Sequence, residues 1–164
     1  MPEPVNPIRA TDDEARHLAR RLLAEARFAA LAVLHPATGA PSVSRIALGQ
    51  DPGGTPVTLI STLAFHTGAL QADPRAALLV GEPGPKGDPL THPRLSVDVR
   101  ARFIDRAGPE HGALRAAWLA RHPKAKLYVD FADFGFVALN VQGASLNGGF
   151  GKAYVLTAAD LLGG

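Results

Sequence analysis

The chain has 164 residues, of which 46% are hydrophobic and 20% charged, enough apolar content for one buried core in a single domain. The formal net charge is only +2, with Lys and Arg scattered, so the concentrated basic field of a nucleic-acid binder is missing. There is no cysteine, which excludes disulfides, thiolate catalysis and Cys-ligated metal centres. No run approaches the ~18 apolar residues of a transmembrane helix, and the chain reads as soluble and cytoplasmic.

Residues 1–10 carry three prolines and little apolar periodicity, predicting a flexible N-terminal arm ahead of one domain over 11–164. Thr11 followed by Glu14 has the form of a capping box. The helix it predicts runs to about Ala26, with Ala15, Leu18, Ala19, Leu22, Leu23 and Ala26 on one face. An apolar strand over 28–35 and a turn over 36–41 lead to a strand over 42–48. Side chains alternate along a strand, so Val43, Arg45 and Ala47 share one face, and Ser44, Ile46 and Leu48 the other. The 51–54 segment, Asp-Pro-Gly-Gly, turns the chain into a short strand over 57–60.

That strand opens into Ser61, Thr62, His66 and Thr67, where Thr67 is placed to cap a helix over 68–72. A strand over 76–81 precedes a proline- and glycine-rich loop over 82–93, which excludes helix and sheet interior. Strict alternation then predicts a half-buried strand over 94–105, with Leu95, Val97, Val99, Ala101 and Phe103 inward. A helix over 110–122 carries Leu114, Ala117 and Trp118 at helical spacing, and residues 126–129 suit either type. A strand over 135–142, a glycine-rich turn over 143–151 and a strand over 152–156 follow, and Thr157 can cap a last helical turn. Short hairpin connections favour an antiparallel barrel over a parallel sheet.

The 44–73 stretch carries the chemistry. A guanidinium on a stiff strand beside free N–H groups at a helix start outlines a phosphate site, with Arg45 as its cation. The competing reading makes Ser61, Thr62 and Thr67 ordinary caps and His66 a loop histidine. No histidine spacing suggests a metal, Asp130 and Asp133 have no identifiable acid–base partner, and the glycines near Phe150 lack the βαβ unit of a dinucleotide fingerprint.

The order of SRI (44–46), LISTLAFHT (59–67), KGDPLTHPRL (86–95), FGFV (134–137) and LNGGFGKA (146–153) resembles the FMN-binding split-barrel proteins. Within them it is most similar to the pyridoxamine 5′-phosphate oxidase-like group that includes haem-iron-utilisation proteins. The likeness covers about residues 12–160. It implies a mainly β (α+β) fold, a six-stranded antiparallel Greek-key split barrel with flanking helices, and a homodimer with FMN sites at the subunit interface. By position it implies that Arg45 contacts the flavin phosphate, Ile46 and Ala47 offer backbone to the ring, and Ser61 and Thr62 meet the ring edge or ribityl chain. His66 and Thr67 complete the phosphate pocket, Lys86, Gly87 and Asp88 approach from the same or the partner subunit, and Asn147 and Phe150 lie near the site.

Two departures narrow this implication. Pyridoxamine-phosphate oxidases place a lysine five residues after the strand arginine, where this chain has Gln50, and their C-terminal Arg-x-His motif is missing. These argue against vitamin B6 oxidation and leave flavin binding. The implied function is a flavoprotein oxidoreductase acting on a small molecule, with no catalytic side chain singled out because the flavin carries the chemistry. The alternatives are a non-catalytic flavin or haem carrier and a haem-degrading protein of the haem-utilisation branch.

Overall fold

The computed structural model describes residues 1–163. Its elements are β1 (Ile8–Arg9), α1 (Asp13–Glu25), β2 (Phe28–Leu34), β3 (Pro41–Ala47), β4 (Gly49–Gln50), β5 (Pro56–Ser61), α2 (Phe65–Ala72) and β6 (Arg75–Val80). They continue as β7 (Arg94–Phe103), α3 (His111–Arg121), β8 (Phe134–Asn147), β9 (Ala153–Thr157) and α4 (Ala158–Leu162), with 3-10 turns at Pro89–Thr91 and Pro123–Leu127.

The sheet runs β1-β9-β8-β7-β6-β2-β3, and β5 joins it by pairing with both β8 and β4. Every ladder is antiparallel except β1 on β9. The run β3-β2-β6-β7-β8-β5 contains the six strands of the expected barrel; β1, β4 and β9 bring the sheet to nine. β3 and β5 end that run and share no ladder, although the Thr58 hydroxyl donates to the Ala47 carbonyl at 2.7 Å. The barrel is split there, leaving one backbone edge of β3 unpaired.

The barrel interior is filled from alternate strand positions, among them Leu31, Leu95, Val97, Val137 and Leu139, all with no exposed surface. Each such side chain contributes about 1.5–3 kcal/mol by leaving water. α1 adds Ala15, Ala19 and Leu23 to this core, the stripe its periodicity predicts. A second cluster covers the outer side of β5 and β8, where Val57, Leu59 and Phe136 meet Leu114 and Trp118 of α3 and Ala125 and Val129 beyond it.

Three local expectations are corrected. Asp12, not Thr11, caps α1, its carboxylate accepting from the Ala15 amide at 2.8 Å. The β1 ladder holds Thr11 beside β9, where its hydroxyl donates to the Val155 carbonyl instead. Thr67 does not cap α2: the helix begins earlier, after Ala64, and the buried Thr67 hydroxyl donates back to the Ser61 carbonyl at 2.5 Å. Residues 143–147 are not a turn but the end of β8, because buried Ala144 and Leu146 keep the two-residue period and pair with β9. The turn is confined to 148–151, where Gly149 and Gly151 adopt φ of 122° and 71°, a conformation costly for residues with a Cβ.

Thr157 does cap α4, in a reciprocal box with Asp160. Arg16 binds the Asp160 carboxylate at 2.7 Å, tying α4 to α1. The guanidinium and the Thr157 amide hold this carboxyl down to about 2, against an ordinary 3.8. A carboxyl with a depressed folded-state pKa stabilises the fold above its unfolded value and loses that contribution as pH falls towards the folded one. Asp160→Asn should therefore lower the urea midpoint near neutral pH and flatten its decline between about pH 3.8 and 2. An unchanged acid limb would show that the ion pair contributes nothing to the fold.

Candidate functional site

The split edge of β3 organises the site. Arg45 points to the outer face of the sheet and is exposed, its guanidinium carbon 5.4 Å from the centroid of the Phe28 ring on β2. Such a contact is a cation–π interaction of modest strength at an exposed site. No carboxylate lies within ion-pair distance of Arg45 among the described residues. A shallow concavity of about 290 Å³ surrounds it, lined by Phe28, Ala30, Val43, Ser44, Arg45 and Glu82.

Ser44 and Ile46 point the other way. Ile46 is buried in the barrel core, so only its backbone is available to a ligand, and Ala47 already spends its carbonyl on Thr58. The Ser44 hydroxyl lies 3.0 Å from Nδ1 of His66 in the first turn of α2. Burial pushes the His66 imidazole below its ordinary value, so it is neutral near neutral pH.

Ser61 ends β5, and its hydroxyl donates to Asp133 Oδ2 at 2.7 Å while accepting from the Leu63 amide at 3.1 Å. The Thr62 amide donates to the Asp133 carbonyl at 2.7 Å. Asp133 thus fixes the corner between β5 and α2, and with Thr67 bonded to Ser61 the hydroxyls of this corner are largely committed within the chain.

Lys86, Gly87 and Asp88 sit in the β6–β7 loop. The His92 ring closes this loop: Nδ1 accepts from the Gly84 amide at 3.2 Å and Nε2–H donates to the Lys86 carbonyl at 2.7 Å. Gly87 has φ of 78°, and the Asp88 carboxylate accepts from the Leu90 amide to start the Pro89–Thr91 turn. Asn147 Oδ1 accepts from the Gly149 amide at 3.1 Å, and Phe150 is fully exposed beyond it. A Cβ on Gly149 would come within 3.1 Å of the Thr91 carbonyl, so this turn rests against the loop.

The expected residues therefore form two groups within one chain. Ser61, Thr62, His66 and Thr67 gather at the β5–α2 corner, while Lys86, Gly87, Asp88, Asn147 and Phe150 gather around the loop and the β8–β9 turn. Arg45 stands on the opposite face of β3 from the Ser44–His66 contact. The sequence reading missed Ser44 and Asp133 as site residues. Ser44 was legible, since it neighbours Arg45 on the alternating strand, whereas the Asp133 contact to Ser61 spans a separation no local pattern reports.

Among the described residues no group of three or more His, Asp or Glu side chains could hold a metal ion, and no helix is long and apolar enough to cross a membrane.

Six barrel strands opened between β3 and β5 define a split-barrel protein. The chain belongs to the family described as CREG, beta-barrel, whose model matches residues 10–161. It is 32% identical over 117 residues to the chloroplastic non-canonical haem oxygenase HOZ of Arabidopsis thaliana, covering 71% of this chain and 35% of that protein. This chain thus spans about a third of that relative's length. A haem-binding protein from Mycobacterium smegmatis superposes with a TM-score of 0.82 at 32% identity, over 94% of this chain and 61% of that one. A pyridoxinephosphate oxidase family protein from Clostridium acetobutylicum, 11% identical, shares the fold with a TM-score of 0.68 over 92% of this chain and 99% of its own.

Proposed function

We propose that this protein binds haem and works as a homodimer, holding the tetrapyrrole where the open edge of β3 meets the second subunit. The observation that carries this reading is Arg45: an exposed guanidinium with no carboxylate partner among the described residues, at the rim of an apolar sheet face. Haem is a planar apolar ring with two carboxylates, and this surface offers a cation for a propionate with Phe28 and Val43 beside it. The two relatives at 32% identity, named for haem binding and as a haem oxygenase, support the same ligand. Bound haem would supply an iron able to take up oxygen and electrons, and the chain's part is to hold and orient it.

A second reading is an FMN-dependent oxidoreductase acting on a small molecule. It would use the unpaired edge of β3, where a flavin ring would meet the backbone of Ile46 and Ala47 and Arg45 would take its phosphate. Lys86, Gly87, Asp88, Asn147 and Phe150 would close the site, from the same or the partner subunit. Against it, Ser61 and Thr67 spend their hydroxyls within the chain, leaving fewer donors for a phosphate.

Titration of the purified protein with haemin, FMN and FAD separates the readings. Haemin is expected to give a saturable Soret shift at one haem per chain, and Arg45→Ala to weaken it about ten- to a hundredfold, the range for a lost charge-assisted hydrogen bond. Saturable quenching of FMN fluorescence without haemin binding would move the assignment to the flavin. Binding of neither ligand would overturn both.

A further inference from the structure

We infer, resting on the haem reading above, that His66 supplies the axial nitrogen to the haem iron and that Ser44 is the positioning residue that decides which ring nitrogen is presented. A histidine that ligates iron has its ring oriented by one nitrogen while the other keeps a free lone pair. His66 meets both conditions. Its Nδ1 lies 3.0 Å from the Ser44 hydroxyl, which can accept as well as donate. With Nδ1–H donating to Ser44, Nε2 carries the lone pair, and Nε2 makes no hydrogen bond to any described residue.

His35, His92, His17 and His111 each fail one condition, and His122 is set apart by its packing. His35 Nδ1 accepts from the Ala37 amide, and His92 Nδ1 from the Gly84 amide, so each neutral ring carries its proton on Nε2. His122 donates Nε2–H to the Leu48 carbonyl and so keeps a lone pair on Nδ1, but its ring packs against buried Trp118 at 4.4 Å. His17 and His111 have no orienting hydrogen bond among the described residues.

The surroundings of His66 also suit a porphyrin. Leu63 and Phe65, just before it in the chain, are exposed. Arg45 follows Ser44 on the same rigid strand, so the cation proposed for a propionate and the hydroxyl that orients the imidazole are set by adjacent residues of β3. The alternation that sends their side chains to opposite faces places the ligand around the free edge of the strand, not on one side of it.

The test is haemin reconstitution of the full chain as wild type, His66→Ala, Ser44→Ala and, as a control, His35→Gln. The wild type is expected to show the absorption and paramagnetic-resonance signature of a histidine-ligated ferric haem. His66→Ala should lose that signature and bind at least tenfold more weakly, with added imidazole restoring the spectrum. Ser44→Ala should weaken binding about tenfold or more, as removal of a ligand's hydrogen-bond partner does. In the haem-free protein, ¹⁵N chemical shifts of His66 should report Nδ1–H in the wild type and a shift towards Nε2–H in Ser44→Ala, a readout independent of haem. If His66→Ala keeps the wild-type spectrum and affinity, or only His35→Gln loses them, this inference fails while haem binding stands. Failure of the wild type to bind haemin removes the functional reading and the inference together.

Discussion

Trp118→Ala is expected to destabilise the fold by about 3–5 kcal/mol, whereas Trp118→Phe should cost about 1.5 kcal/mol or less. Trp118 is 4% exposed and forms the centre of the second core cluster. Its ring stands edge-on to Phe136 of β8 at 5.8 Å and tilted against His122 at 4.4 Å. Gly49 of β4 lies so close that a Cβ there would sit 3.1 Å from two of its ring carbons. Alanine would leave a cavity walled by strands of the barrel, which cannot collapse without moving β4 and β5. Phenylalanine differs because the indole Nε1, although buried, makes no hydrogen bond among the described residues. Its removal therefore forfeits no bond and relieves the desolvation cost of an unpaired N–H. For a domain of this size each kcal/mol corresponds to roughly 2–4 °C in Tm, so thermal and urea unfolding of the two variants resolve the difference. Equal losses for alanine and phenylalanine would mean that Nε1 has a partner in solution and that the cluster is organised around it.

What the sequence disclosed follows physical range. The α1 stripe and the alternation of β7 were readable because each is a local period imposed by one buried face. Thr157 was readable as a cap because its partner Asp160 lies three residues away. The strands β1 and β4 are two residues long and carry no period, so only a neighbouring ladder could reveal them. Glycine at 143 disguised the continuation of β8, although Ala144, Ser145 and Leu146 keep the in-out-in pattern. At the site, the order of residues gathered Arg45, His66 and Thr67 into one phosphate pocket. The backbone instead commits Thr67 to Ser61 and turns Ser44 towards His66, while Arg45 faces outward. The same alternation rule already separates positions 44 and 45; what it could not supply is which of the two faces α2 would cover.

A single negative charge at Leu79 is expected to abolish the proposed homodimer while leaving the subunit folded. The register aligns Arg45, Ala30, Leu79, Ser96, Ser145 and Val155 in one row across β3, β2, β6, β7, β8 and β9. All project from the outer face, where Leu79 is 48% and Val155 57% exposed. A second subunit seated on this row would remove both from water and bring Arg45 into the interface. Leu79→Asp would then bury an unpaired carboxylate in each half of a two-fold contact, costing several kcal/mol per complex and raising the dissociation constant by about a thousandfold or more. In the isolated subunit the same aspartate stands in solvent, so folding stability should change by no more than about 0.5 kcal/mol. Light scattering of the eluting protein should give a dimer for the wild type and a monomer for the variant, with superimposable urea curves at low concentration. Haemin affinity should fall with the dimer if the ligand lies between subunits, because the Arg45 rim then loses its opposing wall. A wild type that is monomeric at micromolar concentration, or a Leu79→Asp variant that remains dimeric, would place the interface elsewhere and leave the outer row as ordinary solvated sheet.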